Sequence, residues 1–181
     1  GVQIRLRDED GEPVPHDGET PGEVHARAPW LAGEYYERPD ATEASFTDDG
    51  WFMSGDVATI DEYGYIDVVD RLDDVIKSGG EWISSIELEN ALIGHDGVAE
   101  ATVIGVSHEK WQERPVAYVV PDDGLTVEAL REHLLASFPK WWLPDRFEFV
   151  DEVPKTTTGK FDKKELVEAF ESEYGSLPVE E

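Results

Sequence analysis

The chain has 181 residues, enough for one ordinary domain or one small domain plus part of another. Its 15 Lys and Arg face 42 Asp and Glu, a net charge of −27, which excludes a basic nucleic-acid-binding surface. No apolar run approaches the roughly 20 residues of a membrane span, no signal-peptide pattern is legible, and the lack of cysteine excludes disulfides and thiolate metal sites.

High net charge can signal disorder. Here 39% of residues are hydrophobic, with six Trp, seven Phe and six Tyr, and the acidic residues are scattered rather than gathered in a tail. A folded protein from a salt-rich cytoplasm is expected, because at about 1 M salt the Debye length is only about 3 Å and surface repulsion is screened. That reading predicts loss of structure in dilute buffer. The chain begins at Gly1, so an excised piece of a longer protein is expected.

Residues 1–70 read as β structure. Val2-Gln3-Ile4-Arg5-Leu6 alternates apolar and polar residues. Glu9-Asp10-Gly11 and His16-Asp17-Gly18 signal turns. Glu23 to Ala28 is a short strand, and another runs from Gly50-Trp51-Phe52 to Thr59-Ile60. Asp61-Glu62-Tyr63-Gly64 turns the chain back into Tyr65–Val69. A small antiparallel barrel or sheet is predicted.

After residue 71 helices and strands mix. Ser84 and Glu87 form a capping box for a helix with Leu88, Ala91 and Leu92 on one face. Strands are predicted at Val98–Val106, Val116–Val120 and Phe147–Val150. Thr126 caps a helix whose Val127, Leu130, Leu134, Leu135 and Phe138 share a face. Asp162 and Glu165 cap a last helix carrying Leu166, Val167 and Phe170. The order implies an α+β class, with helices on an antiparallel sheet in a compact C-terminal domain. The charged connector Asp70-Arg71-Leu72-Asp73-Asp74 marks the boundary and suits a hinge.

Three segments could carry chemistry. Gly50 to Asp56 (GWFMSGD) sets Asp56 at a strand end, where a carboxylate can accept bonds from both ribose hydroxyls; a β-turn with a solvated Asp is the alternative. Lys77-Ser78-Gly79-Gly80-Glu81-Trp82 is either a hairpin turn or a loop that brings backbone close to a ligand. Pro154-Lys155-Thr156-Thr157-Thr158-Gly159-Lys160 is a mobile loop ending on a lysine that could stabilise charge passing between carboxylate and phosphate, or one more exposed loop lysine. It is no P-loop, since the G-x-x-x-x-G-K-[ST] spacing is missing and Phe161 follows. His16, His25, His95, His108 and His133 have no metal-ligand spacing, and His25 reads as packing. Trp141-Trp142 read as core or interdomain packing, and Asp122-Asp123 and Glu180-Glu181 as solvated faces.

Taken together, the three segments resemble the adenylate-forming superfamily of acyl-CoA synthetases, luciferases and peptide-synthetase adenylation domains. Gly50–Asp56 is similar to its GWF-x-[TS]-GD motif, Asp70–Glu87 to its hinge motif, and Pro154–Lys160 to PKT-x-x-GK. The GGEWISS wording and His108–Pro115 (HEKWQERP) are most like medium- and long-chain fatty acyl-CoA synthetases. The resemblance implies residues 1–70 as the β subdomain closing the large AMP-binding domain, 71–75 as the hinge, and 76–181 as a mobile lid. It implies a ligase using ATP, CoA, a fatty acid and Mg²⁺, with a cytoplasmic home and the rest of the same polypeptide as partner. Asp56 and Arg71 would hold the nucleotide and Asp73 would be the hinge residue, a position where both Asp and Lys occur in the family. Lys160 would serve adenylation and Lys77 the thioester-forming pose. Gly79, Gly80 and Glu81 would line the pantetheine path, and Trp82 would gate the fatty-acid tunnel. The phosphate loop, Mg²⁺ motif and acyl pocket would lie upstream, leaving this piece inert alone. The alternatives are another branch of the superfamily, a peptide-synthetase or luciferase-like enzyme, or a noncatalytic acidic interaction module.

Overall fold

A computed structural model describes residues 1–177. They form two compact units that meet in sequence between Asp73 and Asp74. The acidic face expected at Glu180-Glu181 lies outside the described residues.

The first unit holds β1 (Gln3–Arg7), β2 (Gly22–Arg27), β3 (Phe52–Ile60) and β4 (Ile66–Arg71) in one antiparallel sheet, in chain order. Among the described residues β1 and β4 do not pair, so the sheet stays open. Its small core is Leu6, Val14, Ala58 and Ile60, with Val24 packed against it. Aspartates build the predicted turns: Asp8 Oδ1 accepts from the N–H groups of Asp10 and Glu12, and Asp61 Oδ1 from those of Tyr63 and Tyr65. A short helix that the sequence pattern did not announce, α1 (Pro39–Ser45), lies between β2 and β3 and buries no residue. Without an apolar stripe, only Pro39 near its first turn signals it.

The second unit builds a five-stranded sheet from β5 (Ile76–Ser78), β6 (Glu81–Ile83), β7 (Val98–His108), β8 (Gln112–Pro121) and β9 (Arg146–Phe149). β8 is its central strand, and long β7, at one edge, pairs with it antiparallel from Val98↔Pro121 to His108↔Gln112. The other edge of β8 is shared. β5 meets it at Ser78↔Gln112, and β9 runs beside Val116–Val119. The sheet is antiparallel as expected except at β9, which runs parallel to β8. The reason is the intervening helix, which carries the chain back before it re-enters the sheet.

Helices cover both faces. On one, Leu88 and Leu92 of α2 (Ser85–Ile93) and Leu130 and Leu134 of α3 (Val127–Leu135) bury against Ala101, Val103, Ala117 and Val119. On the other, Leu166 and Phe170 of α4 (Lys163–Tyr174) pack on Ile104, Val106, Val116 and Tyr118. Odd and even residues of β7 and β8 thus go to opposite cores, which is why both strands read as continuous apolar runs. Truncating a wholly buried leucine such as Leu88 to Ala costs about 3 kcal/mol. All three predicted caps form: Ser84 Oγ accepts from Glu87 N–H, Thr126 Oγ1 from Ala129 N–H, and Asp162 Oδ1 from Glu165 N–H. One core assignment fails, because Leu135 is 51% exposed. It follows buried Leu134 by one position, so it points about 100° round the helix from the core.

Candidate functional site

In the first unit, Asp56 and Arg71 are cross-strand partners on β3 and β4. Arg71 Nη1 donates to Asp56 Oδ1 at 2.8 Å, with both side chains substantially exposed. Gly55, just before, has φ +70°, and a Cβ there would lie 3.3 Å from Arg71 Nη2. The glycine allows both the left-handed turn of the strand and the close passage of the guanidinium. Leu72 N–H donates to Gly55 O at 2.8 Å and continues the pairing to the end of the unit. Asp73, exposed, is its last residue.

In the second unit, Lys77-Ser78-Gly79-Gly80-Glu81-Trp82 is a tight hairpin. Lys77 pairs with Trp82 and Ser78 with Glu81, around Gly79 and Gly80 at φ +64° and +87°. Two successive positive φ values are the mark of a type I′ turn, so the hairpin alternative describes the shape. It also brings its backbone to the edge of a cavity. Gly79 and Glu81 border a cavity of about 650 Å³ together with Ser78, Trp111, Lys140 and Trp141. Lys110 lines it too, its Nζ 4.3 Å from the centre of the Trp111 ring. Trp111 and Trp141 stay 42% and 45% exposed. The hairpin is bound to β8 by Gly79 N–H donating to Trp111 O at 2.9 Å and Lys77 N–H donating to Glu113 Oε2 at 2.8 Å. Gln112, between those two acceptors, holds a left-handed φ of +73°, uncommon for a residue with a Cβ.

Pro154–Lys160 is a separate, closed turn. Thr156 N–H donates to Lys160 O at 2.7 Å, Gly159 N–H to Thr156 O at 2.9 Å, and Asp162 N–H to Pro154 O at 2.9 Å. Its two lysines differ. Lys155 Nζ lies 2.6 Å from Glu100 Oε1, whereas the exposed Lys160 ammonium has no hydrogen bond or ion pair among the described residues. Just beyond, Lys163 Nζ lies 2.7 Å from Glu89 Oε1 and donates to Ser85 Oγ at 2.7 Å. Glu89 Oε1 also accepts from Thr102 Oγ1 and Val103 N–H, both at 2.9 Å. This half-buried network ties the start of α4 to α2 and β7.

Residues 87–160 match the family described as AMP-binding enzyme C-terminal domain. The chain is 53% identical over 176 residues to a long-chain-fatty-acid–CoA ligase of Thermus thermophilus, covering 96% of this chain and 32% of that one. Among solved structures, ATP-bound MatB from Rhodopseudomonas palustris superposes with a TM-score of 0.79 at 33% identity, over 96% of this chain and 35% of that one. The o-succinylbenzoate CoA synthetase of Bacillus subtilis, solved with its acyl-adenylate intermediate, gives 0.79 at 32% identity, over 91% of this chain and 33% of that one. The chain carries the C-terminal domain of the AMP-binding enzyme family. It spans about a third of the length of the relatives it matches.

Apart from Asp73 at the end of the first unit, the predicted residues fall into three groups: the Asp56–Arg71 pair, the Lys77–Trp82 hairpin and the Lys160 turn. Sequence reasoning missed the cavity lining of Lys110, Trp111, Lys140 and Trp141. Trp141, read as core or interdomain packing, lines the cavity with its ring edge-on to Trp142, and Trp142 stacks on Phe138 at 5.4 Å. The available signal was a lysine beside a tryptophan, twice, in short connections. His25 is buried as expected, its ring between Arg5 Nε and Glu23 Oε2. No three His, Cys, Asp or Glu among the described residues are grouped to hold a metal ion. No helix among them is long and apolar enough to cross a membrane.

Proposed function

We propose that this chain is the C-terminal part of an ATP-dependent acyl-CoA ligase acting on a fatty acid, and that it presents Lys160 and Lys77 in turn to one nucleotide. In the first half-reaction a carboxylate oxygen attacks the α-phosphorus of ATP and pyrophosphate leaves. Lys160 stabilises the charge shared between carboxylate and α-phosphate. In the second, the CoA thiol, giving up its proton, attacks the acyl carbonyl and AMP leaves, with Lys77 toward the nucleotide. Asp56 takes the ribose hydroxyls with Arg71 beside it. Residues 71–75 are the hinge, turning at Asp73, between the β subdomain of residues 1–70 and the lid of residues 76–181.

The observation that carries this reading is the contrast within one turn: Lys155 is used up in an ion pair with Glu100, and Lys160 is left exposed at its end. The cavity supports the second step. Gly79 and Glu81 line it, with Gly80 between them in the turn, which suits the pantetheine path; Trp111 and Trp141 offer ring faces for an adenine, and Lys110 and Lys140 offer charge to the nucleotide's phosphates. Trp82, on the far arm of the hairpin, belongs to the acyl path. Mg²⁺ is assigned to the remainder of the polypeptide, since the residues described here do not fit a metal site; no step above runs through it. In the full-length protein, Lys160→Ala should abolish acid-dependent ATP–pyrophosphate exchange yet spare CoA transfer from supplied acyl-adenylate. Equal loss of both steps would refute the role of Lys160.

A further inference from the structure

The shared edge of β8 poses a mechanical problem. In the strand ladder the β5–β6 hairpin pairs with β8 at one position, Ser78↔Gln112, and β9 joins only from Val116 onward. Residues 113–115 lie between the two, beside a hairpin that must hold Lys77 and Gly79 steady. Arg114 fills this gap. It is 7% exposed, and its guanidinium reaches both neighbours. Nη1 donates to Ser78 Oγ at 3.1 Å and to Trp141 O at 2.7 Å. Nη2 donates to Leu143 O at 3.1 Å and Asp145 Oδ1 at 2.7 Å, and Nε to Asp145 Oδ2 at 2.9 Å. Asp145 N–H in turn donates to Pro115 O at 3.0 Å, just before β9 begins.

A guanidinium has five N–H donors, and all five are engaged. Arg114 borders the cavity, yet it keeps no donor for a ligand phosphate. Its geometry suits holding, since the planar fork meets Asp145 with two parallel bonds while its remaining edge reaches the hairpin. Glu113 acts beside it, its carboxylate accepting from Lys77 N–H. With Trp111 O taking Gly79 N–H, three successive hairpin residues are fixed by three residues of the segment 111–114.

We propose that Arg114, with Glu113, is a positioning residue for the thioester-forming half-reaction: Arg114 bolts Ser78 to the wall formed by Trp141–Asp145, and Glu113 holds the neighbouring Lys77 N–H. The proposal rests on the functional reading above. It predicts a selective defect, because the Lys160 turn shares none of these bonds. In the full-length protein, Arg114→Lys and Arg114→Gln should slow single-turnover thioester formation from supplied acyl-adenylate and CoA by about 10- to 100-fold, the cost of a small misplacement of reacting groups. ATP–pyrophosphate exchange should stay within about twofold of wild type. Ser78→Ala, which leaves the Asp145 pair intact, should produce a smaller fall in the same step. Amide hydrogen exchange at Lys77 and Gly79 should quicken in Arg114→Lys while exchange in α4 is unchanged.

Parallel loss of both half-reactions with a fall in Tm would make Arg114 merely structural and overturn the proposal. An unchanged thioester rate would overturn it too. A wild-type protein that makes no acyl-adenylate would instead refute the functional reading. Amide exchange then still decides the clamp, which fails if Lys77 and Gly79 stay as protected in Arg114→Lys as in the wild type.

Discussion

The two lysine-bearing turns of the second unit are held in opposite ways. The Lys77 hairpin is welded from outside: backbone bonds to Trp111 and Glu113 and the Arg114 fork come from residues more than 30 positions along the chain. The Lys160 turn is closed from within by bonds among Pro154–Asp162, and it is anchored at its end, where Lys163 meets Glu89 and Ser85. A welded turn keeps backbone in register beside a cavity. A self-closed turn leaves its terminal side chain exposed, as the proposed role of Lys160 at a nucleotide requires.

Four experiments test this contrast, from the largest expected effect to the smallest. Lys160→Ala should reduce acyl-adenylate formation by about 100-fold or more, the scale of losing one preorganised charge at a transition state. Lys155→Ala, which breaks only a surface ion pair, should change the same rate less than about threefold, given the small worth of such pairs. Similar losses in both would dissolve the distinction drawn between the two lysines. Next, Glu89→Ala strands the half-buried Lys163 ammonium and should cost about 3 kcal/mol of stability in urea unfolding. A cost below about 1 kcal/mol would mean that the anchor of the self-closed turn is ornamental.

Third, Gly79→Ala places a Cβ at φ +64° and 3.0 Å from the Trp111 ring. The strain alone is about 1–2 kcal/mol, and the ring must shift, so thioester formation should slow while adenylation holds. Equal adenylation and thioester defects would argue against a separate weld.

The smallest effect comes from the first unit, which holds turns a third way, with exposed carboxylates. Backbone N–H bonds from Thr20 and Glu19 lower Asp17 to a pKa of about 2, and hydrogen bonds from Arg5 and Thr47 lower Asp49 to about 2. Folded pKa values below the unfolded value of 3.8 mean stability that is present above about pH 4 and lost as pH falls through about 2. NMR titration should find both carboxylates ionised at pH 3. Asp17→Asn should flatten the acid limb of stability slightly; titration of either group near 3.8 would remove the effect.

Much of this was legible in the residues. Ser84, Thr126 and Asp162 announced their caps because a cap bonds to an N–H three residues on, within reach of local pattern. The β3–β4 turn followed from Asp61 and Gly64 for the same reason. Asp56 and Arg71 were each singled out, but their 2.8 Å pairing required the register of two strands. Leu135 was misplaced because adjacent leucines share a pattern but cannot share a helix face. Arg114 went unremarked within HEKWQERP, since nothing beside it in sequence tells a solvated arginine from one with five acceptors.

The sequence by itself determined the main strands and helices other than α1, the caps, the acidic charge and the three motif segments, since each depends on composition or on spacings of a few residues. Only the tertiary structure decided that β5 and β9 share one edge of β8, that helices cover both faces of the second sheet, and that Trp141 faces a cavity. The acceptors of Arg114 lie 27 to 36 positions away. Which of them it meets depends on how distant strands align, and alignment is settled by burying both faces of β7 and β8, not by any local preference.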